Sequence, residues 1–485
     1  MRKFLNSFPL HTFLFIFFIS LFLFAQNPEH VTLAMMPRTF FLGSVLSALI
    51  FLLFYAFLKN KIKAGIISTL LLLILFNYGV MYDIIEYFYY LDLWPFKNIH
   101  RYLSAFTFLL CVLVIYIVVK KVHVGSRINY FLNVLFILLI LFNSTKLFYL
   151  HYATKTSAPE NESTNSLKTK ESNLPNLYYI VLDGYANQHI LKQHYNFDNS
   201  DFIGFLEQKG FFIADSSIAN YYSTVPSLSS TFNLDYHKNI ANDNLKNLRN
   251  NSFFKILKSN GYSLYKLQSG YSVTSGFADM DSTITINTPN EFERSILKFT
   301  VFRLDDLFGI IQYRRLKSQF DKLPETATLK KNRRFVFVHI VAPHPPFVFN
   351  ENGEQIFNNK NNDNYWEPKE SYVKQLMFVN KQIKNYISLI LKEDQNAAII
   401  IQSDHGPWIQ SQDGKAVFDS RAMILNGMRL AGEQKFDISR SVSSVNTFRI
   451  FIKKYFDPSY PLLLDKPAGK DEMMNSILYK ERKIN

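Results

Sequence analysis

The sequence predicts two architectures in one chain: an N-terminal α-helical transmembrane bundle of five spans, then a C-terminal α/β domain built on a largely parallel sheet. Three observations predict it. Residues 1–150 consist mostly of long apolar stretches. Residues 176–485 alternate solid β-rich apolar strings with helical stretches, the pattern of strands covered on both faces. Between them, residues 151–175 carry almost no large apolar side chain and read as a polar linker.

The five apolar stretches lie at about 10–25, 38–58, 64–82, 102–119 and 128–149, near the ~20 residues a helix needs to cross a bilayer. Their connections alternate in basic residues. Arg2 and Lys3 precede the first span, Lys59, Lys61 and Lys63 follow the second, and Lys120, Lys121 and Arg127 follow the fourth. The other connections hold Arg38, Lys97 and Arg101, the latter two beside Asp83, Glu86 and Asp92. By the positive-inside rule the N-terminus is cytoplasmic, and an odd span count places the C-terminal domain outside. The expected location is the plasma (inner) membrane, multi-pass, with the catalytic domain periplasmic or extracellular. The short first span also has the look of a signal peptide, which would leave the later topology unchanged.

Composition averages these two halves. A hydrophobic fraction of 48% with mean hydropathy near zero describes neither a soluble enzyme nor a pure transporter. The net charge of +14 suits work beside anionic headgroups. No interleaved basic and aromatic patch accompanies it, so nucleic acid is not an expected partner. The only cysteine, Cys111, falls in the fourth span as a small apolar packing residue. The outer domain therefore has no disulfide and relies on its core.

That domain, 176–485, shows no internal repeat. Leu177–Leu182, Phe335–Val341 and Ala397–Gln402 read as buried strands, and helices are expected at about 200–208, 226–234, 251–259 and 368–391. In open α/β sheets ligands bind beyond the carboxyl ends of the strands. Each of these three strands ends in a polar motif.

Asp183 is the first polar residue after Leu177–Leu182 and precedes Gly184, which permits a sharp turn; alone it reads equally well as a turn or cap aspartate. Asp404-His405-Gly406 follows the third strand. A carboxylate and a neutral imidazole are common ligands of a divalent ion, against the plainer reading of a capped turn with an exposed histidine. Thr224-Val225-Pro226-Ser227 opens a helix, where a hydroxyl meets free N–H groups and the positive end of the dipole. An ordinary threonine N-cap is the competing reading. Ser227, one turn along, is a rival hydroxyl. His344, flanked by Pro343 and Pro345, sits in a rigid loop able to present one imidazole to a phosphoryl group or a leaving oxygen, against the plainer reading of a structural loop histidine. His339, inside the second strand, reads as a satisfied core histidine.

Taken in order, these motifs resemble the alkaline phosphatase and sulfatase superfamily, in particular its membrane-bound branch of lipoteichoic acid synthases and lipid A phosphoethanolamine transferases. That resemblance covers nearly the whole chain. It implies a sulfatase-like catalytic domain with one divalent ion (Mn, Mg or Zn) held by Asp183, Thr224, Asp404 and His405, Thr224 as nucleophile, and His344 contacting substrate. It departs from true sulfatases, whose formylglycine arises from Cys or Ser, because Thr224 cannot form it and the motif's arginine is missing. Gly184 stands where sulfatases have a second acid, and Asp183 stands where the transferase branch usually has Glu. No Asp for a second ion lies between Arg333 and Phe347, and no second His follows His405 as far as Arg421. The implied function is a membrane-anchored phosphoryl-headgroup transferase, of phosphoglycerol or phosphoethanolamine type, acting on a membrane lipid donor through a covalent threonine intermediate, with a glycan or lipid acceptor. The alternative is a sulfatase-like phosphodiesterase or sulfuric ester hydrolase. A catalytically inactive membrane scaffold is a third reading.

Overall fold

The structure is a computed structural model. It describes residues 2–465 except 27–34, 92, 96–97, 122–124, 157–166, 168–173, 238–243, 278, 304, 331–332, 357–365, 410–417 and 433–437. Most of the expected linker thus lies outside the described residues. The chain forms two compact units, Met1–Glu160 with Pro289–Phe308, and Asn161–Thr288 with Gly309–Asn485.

In the first unit, four helices are long and apolar enough to cross a membrane: Pro37–Leu58, Lys61–Tyr90, Ile99–Lys121 and Gly125–Thr156. His11–Gln26 is a shorter apolar fifth, so all five expected stretches are helical. Their outward faces carry Phe41, Phe57, Phe108 and Phe142, each more than 60% exposed, a surface that is stable against lipid rather than water. The helix Arg2–Ser7 ends just before Pro9, and the break leaves carbonyls without helical donors. Asn129 and Asn133 resolve this, donating to the carbonyls of Leu5 and Phe8 at 2.7–3.2 Å.

The second unit holds a seven-stranded sheet: β1 (Leu177–Leu182), β2 (Phe212–Ile213), β3 (Ser263–Leu267), β4 (Ser282–Ile284), β5 (Arg334–Ile340), β6 (Ala398–Gln402) and β7 (Asn426–Arg429). Their spatial order is β2-β7-β6-β1-β5-β3-β4. β1, β3, β4, β5 and β6 pair in parallel, and β7 and β2 add antiparallel at one edge. The sheet is therefore largely parallel, as expected.

Side chains alternate across it, building two cores. Tyr178, Ile180 and Leu182 face one core with Val336, Val338 and Ile340, covered by the helices Gln188–Tyr195, Ser200–Gln208 and Lys369–Glu393. Tyr179, Val181, Phe337 and Ile400 face the other, which takes in Phe232, Phe254 and Phe448 from the opposite helices. Coverage of both faces explains why β1, β5 and β6 read as unbroken apolar strings. In register, Leu182 lies beside Ile340, and Val181 beside Gln402, so the residues after all three strands emerge at one edge.

Candidate active site

That edge gathers the polar motifs. Asp183 donates its N–H to Ile340 O and its own carbonyl accepts from His344 N, both at 3.0 Å, which ties the turn after β1 to the loop after β5. Gly184 adopts φ +75°, a conformation that side chains strain to reach, so the sharp turn after Asp183 needs glycine. Its N–H donates to Asp404 Oδ1 at 3.3 Å, and His405 N donates to the same oxygen at 3.0 Å.

At that turn the Asp404 and His405 side chains converge. His405 Nε2 stands 3.5 Å from Asp183 Oδ1 and 3.5 Å from Asp404 Oδ2. Its Nδ1 faces the carbonyl of Gly406 at 3.0 Å. A carbonyl can only accept, so Nδ1 carries the hydrogen and Nε2 keeps its lone pair. Burial, then the nearby Arg421 charge, hold the imidazole well below its usual pKa and therefore neutral.

Thr224 opens its helix, and the competing reading of it as the N-cap does not hold. The N-cap is Ser223, extended and making no side-chain cap bond, and Thr224 is the first residue of the helix Thr224–Asn233. Pro226 has no N–H and Ser227 N is bonded to Ser223 O, so the N–H groups of Thr224 and Val225 are the ones without a helical acceptor. Leu228 and Phe232 sink this helix into the core. The Ser227 hydroxyl donates to Asp404 O at 2.6 Å, locking the helix start to the Asp-His turn. Ser227 is thereby a positioning residue.

The two carboxyls sit in the same buried space. Burial would raise the Asp183 carboxyl, but His344, His339 and His405 outweigh it and hold it low. Asp404 is pushed up, first by burial and then by the Asp183 charge, with His339 and then the Thr224 hydroxyl pulling the other way. Asp183 Oδ1, Asp404 Oδ2 and His339 Nε2 are buried without a hydrogen-bond partner. Buried polar atoms are almost always satisfied. Three such orphans on neighbouring residues, two of them carboxylate oxygens, fit a cation, and Asp183, His339 and Asp404 each bring a ligand atom within 4.8 Å of the others.

His339 is thus only half a core histidine. Its Nδ1 meets Thr274 Oγ1 at 3.0 Å and its carbonyl accepts from Gln319, as a core residue would, while Nε2 reaches Asp183 Oδ2 at 3.4 Å. The available signal was an imidazole amid Phe335–Ile340, where a fully buried polar group needs a partner. His344 also enters the group, sharing a ligand set with Asp183 and His405. Its Nδ1 faces Pro345 O at 2.8 Å, so Nε2 is an acceptor, and its ring lies 4.9 Å from Trp366 and 6.0 Å from His405. Where a second histidine was sought, a cation stands instead. Arg421 donates to Gly406 O and Tyr222 O at 2.7 and 2.8 Å, holding Nη2 3.3 Å from His405 Nε2 and its guanidinium 5.4 Å from the Trp366 ring.

The family model for sulfatases matches residues 175–441, more than half of the chain and all of these motifs. The chain belongs to the sulfatase family. No curated protein matches this sulfatase-family chain. Among solved structures it is similar to the C-terminal periplasmic domain of EcEptC from Escherichia coli, at 12% identity over 62% of this chain and 91% of that one, TM-score 0.45. It is also similar to the lipoteichoic acid synthase LtaP from Listeria monocytogenes (10% identity, 60% and 76% coverage, TM-score 0.39). A third is the integral membrane lipooligosaccharide phosphoethanolamine transferase A from Neisseria meningitidis (13% identity, 92% and 94% coverage, TM-score 0.38). Likeness of this order carries no functional argument. The fold and family make the chain a sulfatase-superfamily enzyme, and its apolar helices suggest anchoring in a membrane.

Proposed function

We propose that this enzyme transfers a phosphoryl-linked headgroup, of phosphoglycerol or phosphoethanolamine type, from a membrane lipid to an acceptor hydroxyl by way of a covalent adduct on Thr224. One observation carries the reading: two buried carboxylates and a neutral imidazole converge beside a hydroxyl at a helix N-terminus, in a chain whose first part is apolar helices. The basic asymmetry of the helix connections supports a plasma-membrane protein with its catalytic unit outside.

Asp183, Asp404 and His405, with the Thr224 hydroxyl, would hold one divalent ion, and this oxygen-rich donor set suits Mn²⁺, Mg²⁺ or Zn²⁺. When bound, such an ion lowers the pKa of the hydroxyl and offsets charge on the phosphoryl oxygens. Thr224 Oγ forms a bond to phosphorus as the bond from phosphorus to the lipid's glycerol oxygen breaks. The free N–H groups of Thr224 and Val225 are suited to phosphoryl oxygens. His344 has an exchangeable Nε2, so it takes the threonine proton and passes it to the departing oxygen. In the second half the acceptor oxygen replaces Thr224 Oγ at phosphorus, and the same imidazole returns the proton. Threonine in place of cysteine closes the formylglycine route, which favours phosphoryl over sulfuryl transfer.

The test is product analysis by mass spectrometry of purified, metal-loaded full-length protein with a panel of phospholipids, with and without an acceptor alcohol. Diacylglycerol together with a headgroup-phosphate ester of the acceptor is the expected outcome. Equal diacylglycerol release without acceptor, with the free headgroup phosphate as co-product, would make the enzyme a hydrolase. No lipid turnover under any condition would overturn the reading.

A further inference from the structure

Pro289–Phe308 belongs to the first unit although its sequence neighbours on both sides belong to the second, so the chain passes between the units three times. The first passage falls near the polar linker, where a single tether was expected. The inserted segment is built to grip the helical bundle. Its helix, Glu291–Lys298, begins with a capping box in which Asn290 and Glu293 exchange hydrogen bonds at 2.8 and 3.0 Å, and the Asn290 amide also donates to Met35 O at 3.1 Å. Phe292 and Ile296, one turn apart, join an apolar cluster with Leu23, Leu72, Phe76 and Phe136 of the bundle.

Polar contacts rim that patch. Arg38 forms a two-pronged ion pair with Glu293. Arg303 binds Asp83 at 2.5 Å, lies 3.9 Å from Glu86, and stacks 4.6 Å from the Tyr82 ring. Gly79 donates its N–H to Phe299 O at 3.0 Å, and a Cβ there would fall 2.0 Å from Lys298 O, so the two backbones meet only because this residue is glycine. Met35, Arg38, Asp83 and Glu86 lie at or beyond the ends of the expected spans 38–58 and 64–82 that the positive-inside rule assigns to the outside. A buried apolar centre with a charged rim is the anatomy of a specific interface, in which rim pairs set register and buried side chains supply affinity.

We propose that Pro289–Phe308 is a docking element through which the catalytic unit stays attached to the bundle independently of the linker. Cutting the linker should therefore not release the catalytic unit.

The experiment places a specific protease site between residues 160 and 170 of the full-length protein in nanodiscs, cleaves it, and measures the C-terminal fragment left in the soluble fraction. Wild type should retain nearly all of it. Gly79→Leu, which leaves the catalytic sequence untouched, should raise the released fraction at least ~10-fold, the effect of an interface weakened by a factor of ten. Arg303→Asp should release at moderate salt, and adding Asp83→Arg should restore retention. The thermal transition of the released fragment reports whether it remains folded. Release from wild type, no effect of Gly79→Leu, or equal binding of the fragment to protein-free vesicles would each overturn the proposal.

Discussion

Asp404→Asn separates the electrostatics of the site from its shape. Asn keeps an oxygen to accept from Gly184 N and His405 N, and its amide replaces Oδ2, an atom with no hydrogen-bond partner. What is lost is one of two buried negative charges whose oxygens lie within 4.8 Å. At an effective dielectric near 20 their repulsion is roughly 3.5 kcal/mol. Without metal the variant should therefore be more stable than wild type by up to about 3 kcal/mol, and with metal less stable. The sign against pH follows from Asp404, whose folded pKa is raised by burial and by Asp183. Stability of metal-free wild type is full below the ordinary carboxylate pKa and falls as pH rises through the raised value, whereas the variant lacks that loss. Thermal unfolding of detergent-solubilised protein, with chelator or with Mn²⁺ or Zn²⁺, at pH 5 and pH 8 measures all four combinations. A chelated variant less stable than chelated wild type at pH 8, or a wild type indifferent to chelation, would rule out repulsion between these carboxylates as the source of the effect.

Three further outcomes follow from the geometry. Thr224→Ala should abolish lipid turnover while costing no more than about 1 kcal/mol, since the residue is not the N-cap and fills little of the core; a turnover assay beside a melting curve checks both. Ser227→Ala should keep the chemistry but loosen the Asp404 turn, lowering stability by about 1–3 kcal/mol because a buried carbonyl loses its donor. Phe232→Ala, which removes a ring packed 5.1–5.6 Å from those of Tyr179, Phe254, Phe277, Phe337 and Phe448, should cost about 3–5 kcal/mol in chemical denaturation and raise the metal concentration needed for half activity.

The parts of this molecule that were legible in the sequence are those whose local pattern and tertiary role agree. β1, β5 and β6 are covered on both faces, so their apolar strings matched the structure to within a residue. The edge strands were not legible. β2 has only Phe212 and Ile213, and β7 is Asn-Gly-Met-Arg, whose strand state comes from pairing with β6 rather than from its own side chains. The helix Asp305–Ala327 was not legible either, since Pro324 inside it is a helix-breaking signal. At the site, Asp183, Thr224, His344, Asp404 and His405 stood out because each follows a strand or opens a helix. His339 and Arg421 did not, the one hidden within a strand, the other brought to His405 by a fold across 16 residues. The docking segment had no signal of its own, since its capping box and apolar spacing are those of any amphipathic surface helix.

A covalent adduct on Thr224 is detected most directly by peptide mass spectrometry of full-length protein quenched during turnover with a phospholipid donor. The expected result is a mass increment equal to the phosphoryl headgroup on the peptide containing Thr224, fragmenting to that residue, absent in Thr224→Ala and absent after chelation. An increment on Ser227, or steady turnover with no adduct on any residue, would contradict it.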